Sequence, residues 1–344
     1  MSADRYVVID EEGYYSFDGK RVADDALGRT MIENLKVDDH GRLVTSLTDV
    51  PAFVEYFDAP LLARHVRMAD SGHGELDLSY GAKARFAFTS LSLDEWDRFH
   101  GVTEKNVPFV LSRQAQMEFF EMLESFDDES VTIAGKTYQV PPWLEPSDEG
   151  EQPQFWSDLY KTEQAGWELG QESTILPVIL PQLKLVKSRI LVLGSGSGHD
   201  AAYFAKLGHV VTAVDFSDEA LKRAKQKYAE LDTLTFVRAD IFNLPEKWNE
   251  QFDMVFEHTC FCAISPDKRD QLIKVWRRVL QPHGHLLAIF FAFEKRKGPP
   301  FGGSEWELRQ RLKPAFDFMY WTRWRQSIEK RKGKELVVYA RKKN

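Results

Sequence analysis

One stretch constrains this chain more than any other. Arg189-Ile190-Leu191-Val192-Leu193 is a short apolar run of strand formers, and it leads directly into Gly194-Ser195-Gly196-Ser197-Gly198. Residues His199–Leu207 then carry helical spacing, with apolar residues at Ala202, Phe204 and Ala205. Gly208-His209 breaks that pattern. Val210-Val211-Thr212-Ala213-Val214 follows as a second strand and ends in Asp215. Together these segments make one β–α–β unit of the usual ~30 residues, which predicts an α/β fold.

Glycines at a strand-to-helix turn permit positive φ and let the backbone come close to a ligand. An acid at the tip of the second strand can accept two hydrogen bonds from ribose hydroxyls, and the distance from Gly194 to Asp215 fits the roughly 20 residues this needs. The pattern points to a nucleoside-containing cofactor. A dinucleotide fingerprint requires a third small residue after Gly-x-Gly-x-x, for close helix packing. Here that position is His199, and the pattern is Gly-x-Gly-x-Gly instead. A second acid, Asp240, ends a third strand that starts at Leu234, with Ile241 and Phe242 behind it. One acid for a ribose, then an acid and an apolar pair for a flat base, suits an adenosine without pyrophosphate. A nucleotide-dependent oxidoreductase is the competing class, and His199 separates the two.

Further strands are expected over Gln251–Glu257 and His285–Phe293, with a helix over Asp267–Leu280 and a terminal strand pair over Phe316–Ser327 and Lys334–Arg341. With the glycine loop, Asp215 and Asp240 in this order, the chain resembles the class I S-adenosylmethionine-dependent methyltransferases. The resemblance implies a Rossmann-like domain over residues 154–344, with a seven-stranded, mostly parallel sheet and a reversed final strand. Three more stretches narrow it: Phe155-Trp156 through Trp167-Glu168-Leu169-Gly170, then Phe261-Cys262-Ala263-Ile264, then Gly298-Pro299-Pro300-Phe301. This combination is similar to the thiopurine S-methyltransferase family, including its halide/thiol relatives. The implied cofactor is S-adenosylmethionine. Its expected holders are Gly194, Ser195, Gly196 and Gly198 in the loop, Asp215 and Phe216 after the second strand, Asp240, Ile241 and Phe242 after the third, and Glu257 at the end of the fourth. The segment Trp167–Gly170 would lie over the cofactor.

The implied reaction is an in-line displacement at a methyl group carried by a sulfonium. Aligning nucleophile, methyl and leaving sulfur is the main task. Aromatic faces can hold soft cations, which makes Trp156 and Trp167 candidates for the sulfonium, unless they only pack the preceding helix onto the sheet. A thiol has a free pKa of about 8.5, so a modest electrostatic push makes it a thiolate. The expected acceptor is a small thiol or a similar soft nucleophile. His258 is the candidate catalytic residue, to take a proton or orient the acceptor; the alternative is a structural histidine at a strand end. Where the halide/thiol branch has an Asp-Tyr pair before the Thr, this chain has Glu257-His258, and Cys260 replaces a Phe. Glu172-Ser173 stands where a proline is usual after the Trp-x-x-Gly element. The acceptor side is therefore where this chain departs most. His258, Cys260 and Cys262 alternate, so an extended chain would place all three on one face. Three ligands without a second Cys pair fall short of a zinc site, and no metal is expected.

The first 140 residues read as a separate acidic α+β domain, joined by a proline-rich connector over 141–153. Strands are expected at Tyr6–Ile9, Tyr14–Phe17, Leu43–Thr45, Leu76–Tyr80 and Arg85–Ser90, with a hairpin around Gly135. Helices are expected over Ala23–Asn34 and Arg113–Ser125, the second with Met117, Phe120, Met122 and Leu123 as its apolar stripe. The region through Asp38-Asp39-His40-Gly41-Arg42 resembles a small bacterial domain family of unknown function. It would either report cofactor occupancy to a partner, which would make the chain a non-catalytic S-adenosylmethionine-binding sensor, or cover the acceptor pocket and set specificity. Net charge is −15 over residues 1–150, −2 over 151–293 and +9 over 294–344. A basic end can attract nucleic acid, but the acidic first half would repel phosphates. Two closely spaced cysteines exclude a disulfide scaffold, and no apolar run reaches the roughly 18 residues of a membrane helix. With acids where a signal peptide would be basic and then apolar, the expectation is a cytoplasmic enzyme.

Overall fold

The computed structural model describes residues 4–46 and 51–344. Residues 1–3, part of the acidic N-terminal stretch, lie outside the described residues. The chain divides into two compact units. The first comprises residues 1–145 with 304–307 and 332–334; the second comprises 146–303, 308–331 and 335–344.

The second unit carries a seven-stranded sheet in the order β3-β2-β1-β4-β5-β7-β6. Its strands are β1 (Arg189–Leu193), β2 (Val210–Asp215), β3 (Leu234–Arg238), β4 (Phe252–His258), β5 (Leu280–Phe291), β6 (Phe316–Arg323) and β7 (Glu335–Lys342). The first five pair in parallel, and β7 runs antiparallel to both β5 and β6. Six helices accompany them: α1 (Pro153–Lys161), α2 (Leu176–Leu183), α3 (His199–Lys206), α4 (Asp218–Lys227), α5 (Arg269–Val279) and α6 (Glu305–Leu312).

Side chains alternate across β1, so the sheet has two buried faces. Ile190 and Val192 pack with Ile175, just before α2, with Ile179 of α2 and with Phe204 of α3. Leu191 and Leu193 pack on the opposite face with Leu272 and Trp276 of α5. Each fully buried large apolar side chain contributes about 1.5–3 kcal/mol. Helix ends follow local chemistry. Ser217 caps α4 by accepting from the Ala220 amide, with Asp218 and Glu219 in its first turn and Lys225 and Lys227 in its last. Helix α5 starts at Arg269 because Pro266–Lys268 forms a separate 3-10 turn. Strand β5 starts earlier than His285, and its register against β4 shifts where Pro282, His283 (φ 63°) and Gly284 intervene.

In the first unit, sheets of six, four, three and three short strands surround an aromatic core that includes Phe86, Phe88, Phe99, Phe109 and Phe119. The hairpin around Gly135 joins Ser130–Ile133 to Lys136–Gln139, with Ala134 and Gly135 both at positive φ. Three of its loops share one device. Asp10, Asp38 and Asp94 each accept from the amides two and four residues on, closing a five-residue turn. Three expectations need correction. The second helix spans Arg113–Glu121 and buries Ala115 and Phe119, whereas Met117 and Phe120 are 56% and 40% exposed. Met122 and Leu123 of the expected stripe do pack against the core, just past the helix end, so the correction concerns Met117 and Phe120. Strand His73–Asp77 stops before Tyr80, which sits at φ 58° in a 3-10 turn. The proline-rich stretch is no bare connector either: Trp143 is buried and stacks on His100, and Pro153 opens α1.

Candidate active site

The loop after β1 is built from its glycines. Gly194, Gly196 and Gly198 all have positive φ (61°, 52° and 78°). A Cβ at Gly194 would lie 2.7 Å from Cys260 Sγ, one at Gly196 2.6 Å from the Tyr160 hydroxyl, and one at Gly198 2.7 Å from the Phe236 ring. The glycines admit neighbouring side chains of this same chain, a tighter use than ligand approach alone. Ser195 donates its amide to Val214 O, while its Oγ is buried and unpartnered.

Three acids stand at the strand tips. Asp215 Oδ2 accepts from the Gly196 amide at 2.8 Å and Oδ1 from the Ser217 amide at 2.9 Å. Each oxygen keeps a further acceptor site. Burial pushes the Asp215 carboxyl up, against the pull of these amides and that of Phe216. Phe216 is half-buried beside it. Asp240 caps the turn Ile241–Asn243: Oδ1 accepts from the Phe242 amide and Oδ2 from the Asn243 side chain. Ile241 and Phe242 are half-buried against the α5-side core. Glu257 is 1% exposed. Its Oε1 accepts from the Phe261 amide at 2.8 Å, and its Oε2 has no partner. Burial raises this carboxyl to about 7.

Helix α1 and the segment behind it bring an aromatic group to the loop. Trp156 donates to Gly150 O at 2.7 Å and meets Trp167 edge to face, with centroids 5.2 Å apart. Trp167 donates its indole N–H to the Tyr160 hydroxyl at 3.0 Å. Tyr160 was not anticipated, although it lies one helical turn after Trp156 on α1, a spacing that marks a shared face. Glu168 fastens the segment: His199 Nε2 lies 3.2 Å from its Oε1, and Ser197 and the Gly170 amide also bond to it. Burial alone would raise the Glu168 carboxyl, but these bonds hold it down at about 2. His199 thus ties Trp167–Gly170 to the glycine loop.

His258 occupies the tip of β4 with both ring nitrogens engaged. Nδ1 lies 2.7 Å from Asp200 Oδ2, and Nε2 lies 2.9 Å from Arg331 Nη1. A guanidinium can only donate, so Nε2 carries the lone pair and Nδ1 the proton. That lone pair accepts from Arg331, so the ring is held from both sides. Arg331, itself 3% exposed, also donates to Trp167 O at 2.7 Å and pairs with Glu335 at 3.2 Å. The expected row of His258, Cys260 and Cys262 is broken as well. Thr259 takes φ 60°, and Cys260 starts a 3-10 turn. Burial pushes the Cys262 thiol up to about 12 and that of Cys260 up too. Among the described residues, no group of three or more His, Cys, Asp or Glu is placed to hold a metal ion.

Unpartnered Ser195 Oγ and Glu257 Oε2, with two buried acids that have no ion pair among the described residues, suit a polar ligand bearing positive charge. The amino group and sulfonium of S-adenosylmethionine fit that description. The chain is similar to several known proteins. Residues 151–343 match the profile described as Thiopurine S-methyltransferase (TPMT). Thiocyanate methyltransferase 1 of Brassica oleracea is 30% identical over 196 residues, which cover 55% of this chain and 85% of that protein. Thiopurine S-methyltransferase of Shewanella loihica is 27% identical over 183 residues, 48% of this chain and 84% of that one. Among solved structures, the Burkholderia thailandensis 1,6-didemethyltoxoflavin-N1-methyltransferase with bound S-adenosylhomocysteine superposes with a TM-score of 0.49 at 21% identity, covering 64% of this chain and 99% of that one. With more than half of its length matched by the family profile, the chain belongs to the thiopurine S-methyltransferase family.

Proposed function

We propose that this enzyme transfers a methyl group from S-adenosylmethionine to the sulfur of a small thiol. The observation that carries the reading is one sheet edge that gathers the Gly194–Gly198 loop, buried Asp215 and the Trp156–Tyr160–Trp167 aromatic group. In this reading Asp215 holds the ribose hydroxyls, Asp240 with Ile241 and Phe242 holds the base, and Glu257 faces the cationic amino group. Trp156 and Trp167 flank the sulfonium. When bound, the cofactor supplies an electrophilic methyl on a sulfonium. Residues of the chain align the acceptor and exclude water, and a thiol near its own pKa needs little further activation. His258 orients Arg331 rather than taking a proton. The names of the relatives, one for thiocyanate and one for thiopurines, share a soft sulfur nucleophile, and this supports the acceptor class.

The first unit is proposed as an accessory α+β domain over residues 1–140, with the methyltransferase domain over 154–344. A reducing, cytoplasmic setting is proposed because Cys260 and Cys262 are both free thiols; no helix among the described residues is long and apolar enough to cross a membrane. Titration calorimetry with S-adenosylmethionine and S-adenosylhomocysteine, then a thiol panel read by mass spectrometry, tests the reading. Tight binding of both and a gain of one methyl on a thiol are expected. Absence of cofactor binding defeats the reading, and transfer confined to oxygen or nitrogen acceptors defeats its acceptor class.

A further inference from the structure

The first unit includes two short pieces that lie far along the sequence, residues 304–307 and 332–334. Trp306 anchors the first piece. Its amide donates to Phe57 O at 2.9 Å, the Arg98 guanidinium lies 3.3 Å from its ring centroid, and Trp96 meets it edge-on at 5.0 Å. Arg98 is itself fixed. Nη1 reaches Asp58 at 2.6 Å and Nε reaches Asp94 at 2.8 Å. Asp94 also takes His100 Nε2 at 2.9 Å, and His100, 4% exposed, stacks on Trp143. A planar cation held by two carboxylates cannot leave the indole it covers without breaking both pairs. The second piece is held by Lys332 on Asp4 at 2.7 Å and by Lys334, which donates to His40 O at 3.2 Å.

Both pieces continue segments of the candidate active site. Residue 304 follows Gly298–Gly303, where the Phe301 amide donates to Cys262 O at 2.6 Å and Arg269 donates to Gly302 O at 2.9 Å. Residue 332 follows Arg331, the partner of His258 and of the Trp167 carbonyl. We propose that the first unit is a positioning element for methyl transfer. By holding Trp306 and Lys332–Lys334, it fixes the two adjoining segments, 298–303 and 329–331, that complete the acceptor side. The statement rests on the thiol methyltransferase reading given above. Trp306 and Arg98 are positioning residues in it and touch no reacting atom.

The test uses the full chain with Trp306→Ala, Trp306→Phe and Arg98→Met. Hydrogen exchange of peptides spanning 298–303 and 329–331 is expected to quicken at least tenfold in Trp306→Ala, with the rest of the second unit unchanged and Trp306→Phe close to the parent. With a thiol acceptor, its KM rises at least fivefold in Trp306→Ala and Arg98→Met, while the S-adenosylhomocysteine Kd stays within twofold. Unchanged exchange in both segments overturns the proposal. So does a uniform rise in exchange across the second unit, or a parallel loss of acceptor and cofactor affinity, because either reports plain misfolding. If the parent protein methylates no thiol, the functional reading fails, and the exchange measurement still decides the positioning claim.

Discussion

The two sides of the candidate site are built by different means. On the cofactor side, Gly194, Gly196, Gly198, Asp215 and Asp240 sit at the tips of three neighbouring strands, and the backbone geometry of one β–α–β unit places most of them. On the acceptor side, His258 depends on Asp200, 58 residues away, and on Arg331, 73 residues away, while Arg331 reaches Trp167 across 164 residues. A local device serves any adenosine, whereas a long-range one is particular to a single chain. The difference teaches that residues placed by one local unit can be read together, whereas His258 and Arg331 meet only through the folded chain.

The sharpest way to break this contrast is Arg331→Met. It strands buried Glu335 and leaves the His258 lone pair and the Trp167 carbonyl unpaired. Removing one partner of a buried pair costs about 3–5 kcal/mol. Urea unfolding of the second unit is expected to show that loss, with turnover falling alongside it; a loss below about 1 kcal/mol would mean the network is not the keystone of the acceptor side. Next comes Asp215→Ala, which removes charge-assisted bonds worth roughly 1.5–3 kcal/mol each. Calorimetry is expected to show S-adenosylhomocysteine binding weakened about 100-fold, and retention of full affinity would remove Asp215 from the cofactor side.

Glu257 sharpens the contrast through pH, because it lies where the two sides meet. With its carboxyl near 7, a cationic cofactor binds the ionised form. Affinity therefore falls as pH drops through 7, by up to about tenfold per unit below it, and binding releases a proton. Calorimetry in buffers of different ionisation heat checks this, and Glu257→Gln is expected to abolish the dependence. The linked stability has the opposite sign. The raised carboxyl keeps its proton in the ligand-free fold between its ordinary 4.5 and about 7, so this group's contribution to stability declines as pH rises through that window. The smallest effect is expected from Trp156→Phe, which keeps a ring but loses the bond to Gly150 O. A cost of about 0.5–1.5 kcal/mol in unfolding is expected, with little change in acceptor preference.

How much of this was legible in the sequence follows the same division. Glycine spacing and Asp215 could be read because each rests on neighbours within some 30 residues, whereas the seven-stranded sheet was implied only by family resemblance, since pairs such as Ile190 with Met254 lie far apart in sequence. Tyr160 was readable in principle, from its turn-spacing to Trp156. Arg331 and Asp200 were not, since nothing near them in sequence marks their partners. The partners of His258 were hidden for that reason: the arginine on its Nε2 is invisible until the chain has folded. In the first unit, half of the apolar stripe expected over Arg113–Ser125 went astray because exposed Met117 and Phe120 are as hydrophobic as buried Phe119.

The place of β7 bears on how the second unit assembles. It follows β6 in sequence yet lies inside it, between β5 and β6. During synthesis β6 cannot take its native place before β7 is available, since β5 pairs with β7 and not with β6. Its apolar residues must wait, unprotected, for the next strand to thread into the gap. Late closure of this kind is slow, because a long loop is ordered before its contacts reward it. Until β7 is in place the edge of β5 stays open, and open strand edges are where half-folded chains are exposed to aggregation.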